Sequence, residues 1–188
     1  MKKAIWWFAV IALLAAGGCA QERPRLLLTI KQGKAAPDGT LAGTQPLFII
    51  ERSKNANVVH YDARLTADGK LDPVQPVIAY FVMLAEDGRR EELNWIEKKM
   101  AYGFDIKPDP SAGGYTMTMV AVPQQPITVR KEGSAVRAEL VIDGRPAVIE
   151  KMYINASDGL SGPTVNYIEL YGKDLQTGKK RYEKVMPK

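Results

Sequence analysis

The stretch Ala135–Ile154, "AVRAELVI-DG-RPAVIEKMYI", decides the fold. Two β-rich runs flank Asp143-Gly144, a pair suited to the left-handed backbone of a tight hairpin turn. A two-residue loop there sets Leu140 opposite Ala147, Ala138 opposite Ile149 and Arg137 opposite Glu150. One face is then largely apolar and the other pairs opposite charges, so turn chemistry and side-chain pattern agree.

Working outward, similar signals recur. "LFIIERS" and "NVVHYD" flank a polar turn. "PVIAYFVMLA" runs into Asp87-Gly88. "YTMTMVAV" and "PITVRK" are separated by the Pro123–Pro126 stretch, and "TVNYIELYGKD" and "KRYEKV" flank "LQTGK". Only "LNWIEKKMAYGF" predicts a helix. Asn94 is a good N-cap, and Glu97 completes a capping box. Lys98 and Lys99 suit the C-terminal end of the dipole, and Gly103 suits the C′ position. Trp95, Ile96 and Met100 are expected to dock on a sheet or plug a barrel end. The expectation is an all-β fold: an antiparallel meander forming a small barrel or a curled two-sheet sandwich, with one short helix near 94–102.

Bulk properties narrow the function. The chain has 188 residues, enough for one ordinary domain. Its net charge of +5 includes Lys2 and Lys3 and is otherwise spread along the sequence. A nucleic-acid binder concentrates Lys and Arg with interleaved aromatics, so no nucleic-acid partner is expected.

"MKKAIWWFAVIALLAAGGCA" has a charged start, an apolar run from Ala4 to Ala16 and a small-residue end. That is the layout of a secretory signal, and the apolar run is too short for an ordinary spanning helix. "AAGGC" resembles the lipobox of bacterial lipoproteins, with Ala16 where leucine is usual. Residues 1–18 are therefore expected to be a signal peptide and Cys19 the lipidated residue, anchoring the chain to a membrane. By the same resemblance, Ala20 points to the outer membrane and a periplasmic setting. Cys19 is the only cysteine, so lipidation leaves none for disulfides or thiol catalysis. Residues 19–45 read as a lipidated tether with a candidate strand at 25–31, and residues 46–188 as a single β-rich domain.

The densest polar stretch is "FIIERSKNANVVHYD", Phe48–Asp62, which holds the only histidine, His60. A lone histidine cannot build a conventional metal centre, so no metal or other cofactor is expected. A Ser53–His60–Asp62 triad lacks a nucleophile elbow. An Asn55-Ala56 loop sets Glu51 opposite His60, and a three-residue loop sets Glu51 opposite Val59. Arg52, Ser53, Lys54, Asn55, Asn57 and His60 form a candidate recognition patch for an unknown envelope protein or small ligand. The competing reading is a structural hairpin. Met117 and Met119 are either core residues or soft metal ligands. Tyr80, Tyr102, Tyr115, Tyr153, Tyr167 and Tyr171 either line a barrel mouth for an apolar or sugar-like ligand or are ordinary strand residues.

At "FIIERSKNANVVHYD", "GRREELNWIEKKMAYGF" and "VNYIELYGKDLQTGKKRYEKV" the chain resembles the domain of unknown function 4833 family, across most of residues 46–187. "RSKNANVV" and "AYG" are the most specific parts. The resemblance supports the domain boundary and implies no activity. The expected role is a non-enzymatic, lipid-anchored envelope binding or interaction module; the alternative is a barrel carrier of a small apolar ligand.

Overall fold

The computed structural model describes residues 43–53, 55–100, 102–159 and 162–186. The expected signal peptide, Cys19 and the candidate strand at 25–31 lie outside them, as does Lys54. Eleven strands and one helix follow in order: β1 (Thr44–Arg52), β2 (Asn55–Arg64), β3 (Val77–Val82), β4 (Arg90–Glu92), α1 (Trp95–Met100), β5 (Phe104–Asp109), β6 (Gly114–Met119), β7 (Ile127–Glu132), β8 (Ala135–Ile142), β9 (Arg145–Gly159), β10 (Gly162–Asp174) and β11 (Lys180–Val185). They form one curled, half-barrel sheet, so the all-β expectation holds.

The Asp143-Gly144 turn is as expected. Both residues have positive φ, 51° and 69°, and Leu140 pairs with Ala147. The β8–β9 ladder then stops at Glu139–Val148. Beyond that point the edge of β9 is taken by β1, running parallel from Ile49–Lys151 to Arg52–Ile154. This parallel pair departs from a pure meander. Its cause is length: β9 has 15 residues and β8 only 8, which leaves backbone groups on β9 that need partners.

β9 is thus the spine of a fork. One edge carries β10 from Ala147 to Gly159, and the other carries β8 and then β1. At the crossover the partners of β10 skip from Ile149 to Lys151, so Glu150 is bulged out. The bulge also switches which side chains point inward: Ala147 and Ile149 before it, Met152, Ile154 and Ala156 after it, all buried. It removes the expected Arg137–Glu150 pair. Arg137 binds Glu132 instead, and Glu150 binds Lys173. Gly172 faces the bulge, where a Cβ would lie 2.3 Å from the Val148 carbonyl oxygen, so no larger residue fits without backbone movement.

The join between β8 and β1 is closed by a side chain. Gln45 Nε2 donates to the Val136 carbonyl at 3.0 Å, and the Val136 N–H donates to Gln45 Oε1 at 3.0 Å. The glutamine amide supplies the donor–acceptor pair of a peptide where the backbone has none.

Inside the curl, Ile50, Tyr61, Met117, Met119, Ile127, Ile142, Ile149, Met152, Ile168 and Leu170 pack in one cluster. Met117 and Met119 have no exposed surface, which places both in the core. The far loop, between β10 and β11, is tied by Asp174. Its carboxylate accepts from the Gln176 and Thr177 amides and from Arg181. The Thr177 amide first, and then Arg181, hold its carboxyl far below the usual range.

The capping box forms as expected. Asn94 Oδ1 accepts from the Ile96 and Glu97 amides, and Glu97 Oε2 accepts from the Asn94 amide at 2.7 Å. The expected docking face does not form. Trp95 and Ile96 are 65% and 45% exposed, and the anchors are the flanking Leu93 and Tyr102, both buried. With only six residues, α1 is too short to turn a full apolar stripe inward. Gly103 is required for a different reason from the one expected. Its φ is not left-handed, but a Cβ there would lie 1.5 Å from the Lys98 carbonyl oxygen.

Candidate functional site

The polar stretch reverses between Arg52 and Asn55, which pair with each other. Neither expected loop is used. Further along, Ile49 pairs with His60 and Ile50 with Val59. Glu51 faces neither His60 nor Val59 in this ladder; it binds Lys151 at 3.1 Å. The difference comes from β2, which is irregular opposite Glu51 and takes up extra residues before regular pairing resumes.

Ser53, Asn55 and Asn57 each have a specific partner. The Ser53 hydroxyl donates to the Ala156 carbonyl and accepts from the Ala156 amide, both at 2.9 Å, while the Ser53 amide donates to the Ile154 carbonyl. This clamp extends the β1–β9 pairing past the end of β1. Asn55 Oδ1 accepts from the Asn57 amide at 3.0 Å, a local turn of the side chain on its own backbone. Asn57 Oδ1 accepts from the Ala85 amide at 3.3 Å and ties the tip to the β3–β4 turn.

Arg52 and Asn55 converge on Tyr102, just past α1. Burial raises the pKa of the Tyr102 hydroxyl. The Arg52 guanidinium, by charge and a hydrogen bond, and the Asn55 side chain, by a hydrogen bond, oppose that rise. The Tyr102 carbonyl in turn accepts from the Tyr61 hydroxyl at 2.6 Å. Tyr61 stacks on Phe48 at 4.6 Å between ring centroids, and Tyr102 meets Phe81 edge-on at 5.4 Å. Thus "RSKNANVV" and "AYG", far apart in the chain, meet at one end of the curl.

His60 does not join them. It lies further along β2 on the outward face, stacked on Tyr80 at 5.6 Å. Burial lowers its pKa below the usual 6.5, Asp62 opposes that shift and Arg90 adds to it. Asp62 is fully buried; Oδ2 accepts from the Tyr80 hydroxyl at 2.7 Å and from Thr44 at 3.2 Å. Ser53 is held at the tip by Ala156, so Ser53, His60 and Asp62 make no relay.

The tyrosines do not share one mouth. Tyr102 is inside, Tyr80 is buried on the outward face, and Tyr171 lies on that face beside Tyr182 at 5.3 Å between centroids. Both of these hydroxyls donate to Glu169, at 2.7 and 3.0 Å. A reading of motifs misses Arg90 and gives Tyr80 only as one of the six tyrosines. Their signal lies in the alternation of β2: Val59, Tyr61 and Ala63 point inward, so His60 and Asp62 must share the outward face with their cross-strand neighbours.

Among the described residues, no group of three or more His, Cys, Asp or Glu is placed to hold a metal ion. A family model, Domain of unknown function (DUF4833), matches residues 48–184. No curated protein and no solved structure matches the chain.

Proposed function

The chain belongs to the DUF4833 family, and from that premise we propose that it is a non-enzymatic binding or interaction module of the bacterial envelope. It is held by lipids on Cys19 at the periplasmic side of the outer membrane. The observation that carries the interaction role is the end of the curl where the two family-specific segments meet. Around it, Trp95, Ile96 and Leu84 are 65%, 45% and 59% exposed, although a packed core is available in the same domain. Large apolar side chains left in water beside a rigid polar tip suit a contact surface. The tip residues Arg52, Ser53 and Asn55 act in this reading as the frame that holds the surface. The carrier reading has less support, because the inward positions are occupied by side chains packed on one another.

Two experiments test the proposal. Cys19→Ala followed by membrane fractionation should release the protein. A variant that stays membrane-bound, with its leader still removed, would end the lipid-anchor claim. A photo-crosslinking residue at position 95 should give a discrete envelope adduct that Ile96→Ser abolishes without loss of folding. An adduct pattern unchanged by Ile96→Ser would end the contact-surface claim.

A further inference from the structure

The outward face of β2, β3 and β4 holds two opposite charges that do not meet each other. On the edge strand Glu92 is the direct partner of Tyr80 and Arg90 stands two residues before it, opposite Val82, while His60 is the direct partner of Tyr80 on β2. Asp62 has no exposed surface, and its Oδ1 is buried without a hydrogen-bond partner. Both terminal nitrogens of Arg90 are also buried without a partner. Neighbouring acids do not serve Arg90: Glu86, Asp87 and Glu91 are bound to Arg89, and Glu92 points to solvent.

Tyr80 links the two charges. The Arg90 guanidinium lies over its ring, with Cζ 4.9 Å from the centroid, and its hydroxyl donates to Asp62 at 2.7 Å. His60 stacks on the same ring, with the planes 19° apart. Burial lowers the His60 pKa and so favours its neutral ring.

Buried charges without partners are costly, and removing that cost requires both neutralisation and hydrogen bonds. Water or an amide would meet the hydrogen bonds and leave both charges standing. A carboxylate suits the fork of Arg90, which offers parallel donors. An ammonium suits Asp62 Oδ1, which can only accept. We propose that Arg90, Tyr80, His60 and Asp62 form a binding site for the zwitterionic head of a free α-amino acid, its carboxylate on Arg90 and its ammonium on Asp62.

This deepens the binding-module reading by naming a ligand class. It is tested apart from the anchor and the α1 surface, so either claim can fail alone. Calorimetric titration of the purified protein with glycine, alanine and larger amino acids tests it, with acetate and methylamine as the two half-ligands. The amino acid should bind saturably and at least about tenfold more tightly than either half. Arg90→Gln, on an edge strand, should fold and lose at least about tenfold in affinity. Asp62→Asn should lose the preference for an amino acid over acetate; if it does not fold, Arg90→Gln and the half-ligands decide. No saturable binding of any amino acid, equal binding by folded Arg90→Gln, or acetate matching the amino acid would overturn the proposal.

Discussion

Two hairpins of this domain are built on opposite principles. The β8–β9 turn is specified where it stands: Asp143 and Gly144 adopt the backbone that a two-residue loop needs, and the register follows. The β1–β2 tip is specified from a distance. Ser53 is fixed by Ala156, 103 residues away, and Arg52 and Asn55 by Tyr102. A local turn tolerates damage elsewhere, whereas a turn set by tertiary contacts is only as stable as its partners. The tip can therefore hold a fixed shape with few apolar contacts of its own, which suits the frame of a contact surface.

Several changes break or sharpen this contrast. Tyr102→Ala should have the largest effect, about 3–5 kcal/mol, because it empties a buried aromatic site. It also removes the partner of Arg52 and Asn55. Chemical denaturation should show the loss, and amide signals of the tip should shift more than those of Glu139–Ile142. Gly172→Ala should cost about 1–3 kcal/mol by crowding the Val148 carbonyl at the fork. Ser53→Ala removes both side-chain bonds to Ala156 and should cost about 1–2 kcal/mol, with faster hydrogen exchange at the Ala156 amide.

The smallest expected effect is that of pH through His60. Its folded pKa lies below the unfolded value near 6.5, so the unfolded chain takes up the proton first. Stability from this group is complete above 6.5 and declines as pH falls from there through the folded value. His60→Gln should flatten the pH dependence of the denaturation midpoint in that window. A slope unchanged by the substitution would show that other groups set it.

The same contrast explains what the sequence makes legible. The Asp143-Gly144 hairpin and the capping box are short-range chemistry, and both can be read directly from neighbouring residues. The parity switch at Glu150 is present in the pattern as Ala147 and Ile149 followed by Met152 and Ile154. Its meaning depends on β1 arriving in parallel, which no local signal announces. The tip register was misleading because Asn55 is a good turn residue, yet it uses that ability to cap Asn57 one position after the turn. Trp95 and Ile96 fit a buried face by type, and only the brevity of α1 leaves them outside. At the outward cluster, the strand alternation fixes His60 and Asp62. Arg90 joins them only through the pairing of β3 with β4.

The central claim is that tertiary bonds to Tyr102 hold the tip while the β8–β9 turn holds itself. Hydrogen exchange on folded Tyr102→Phe tests it most directly, since only the hydroxyl is removed. The account predicts faster exchange at Asn57 and Val58, with protection across Glu139–Ala147 unchanged. Equal protection at both hairpins, or an equal loss at both, would contradict it.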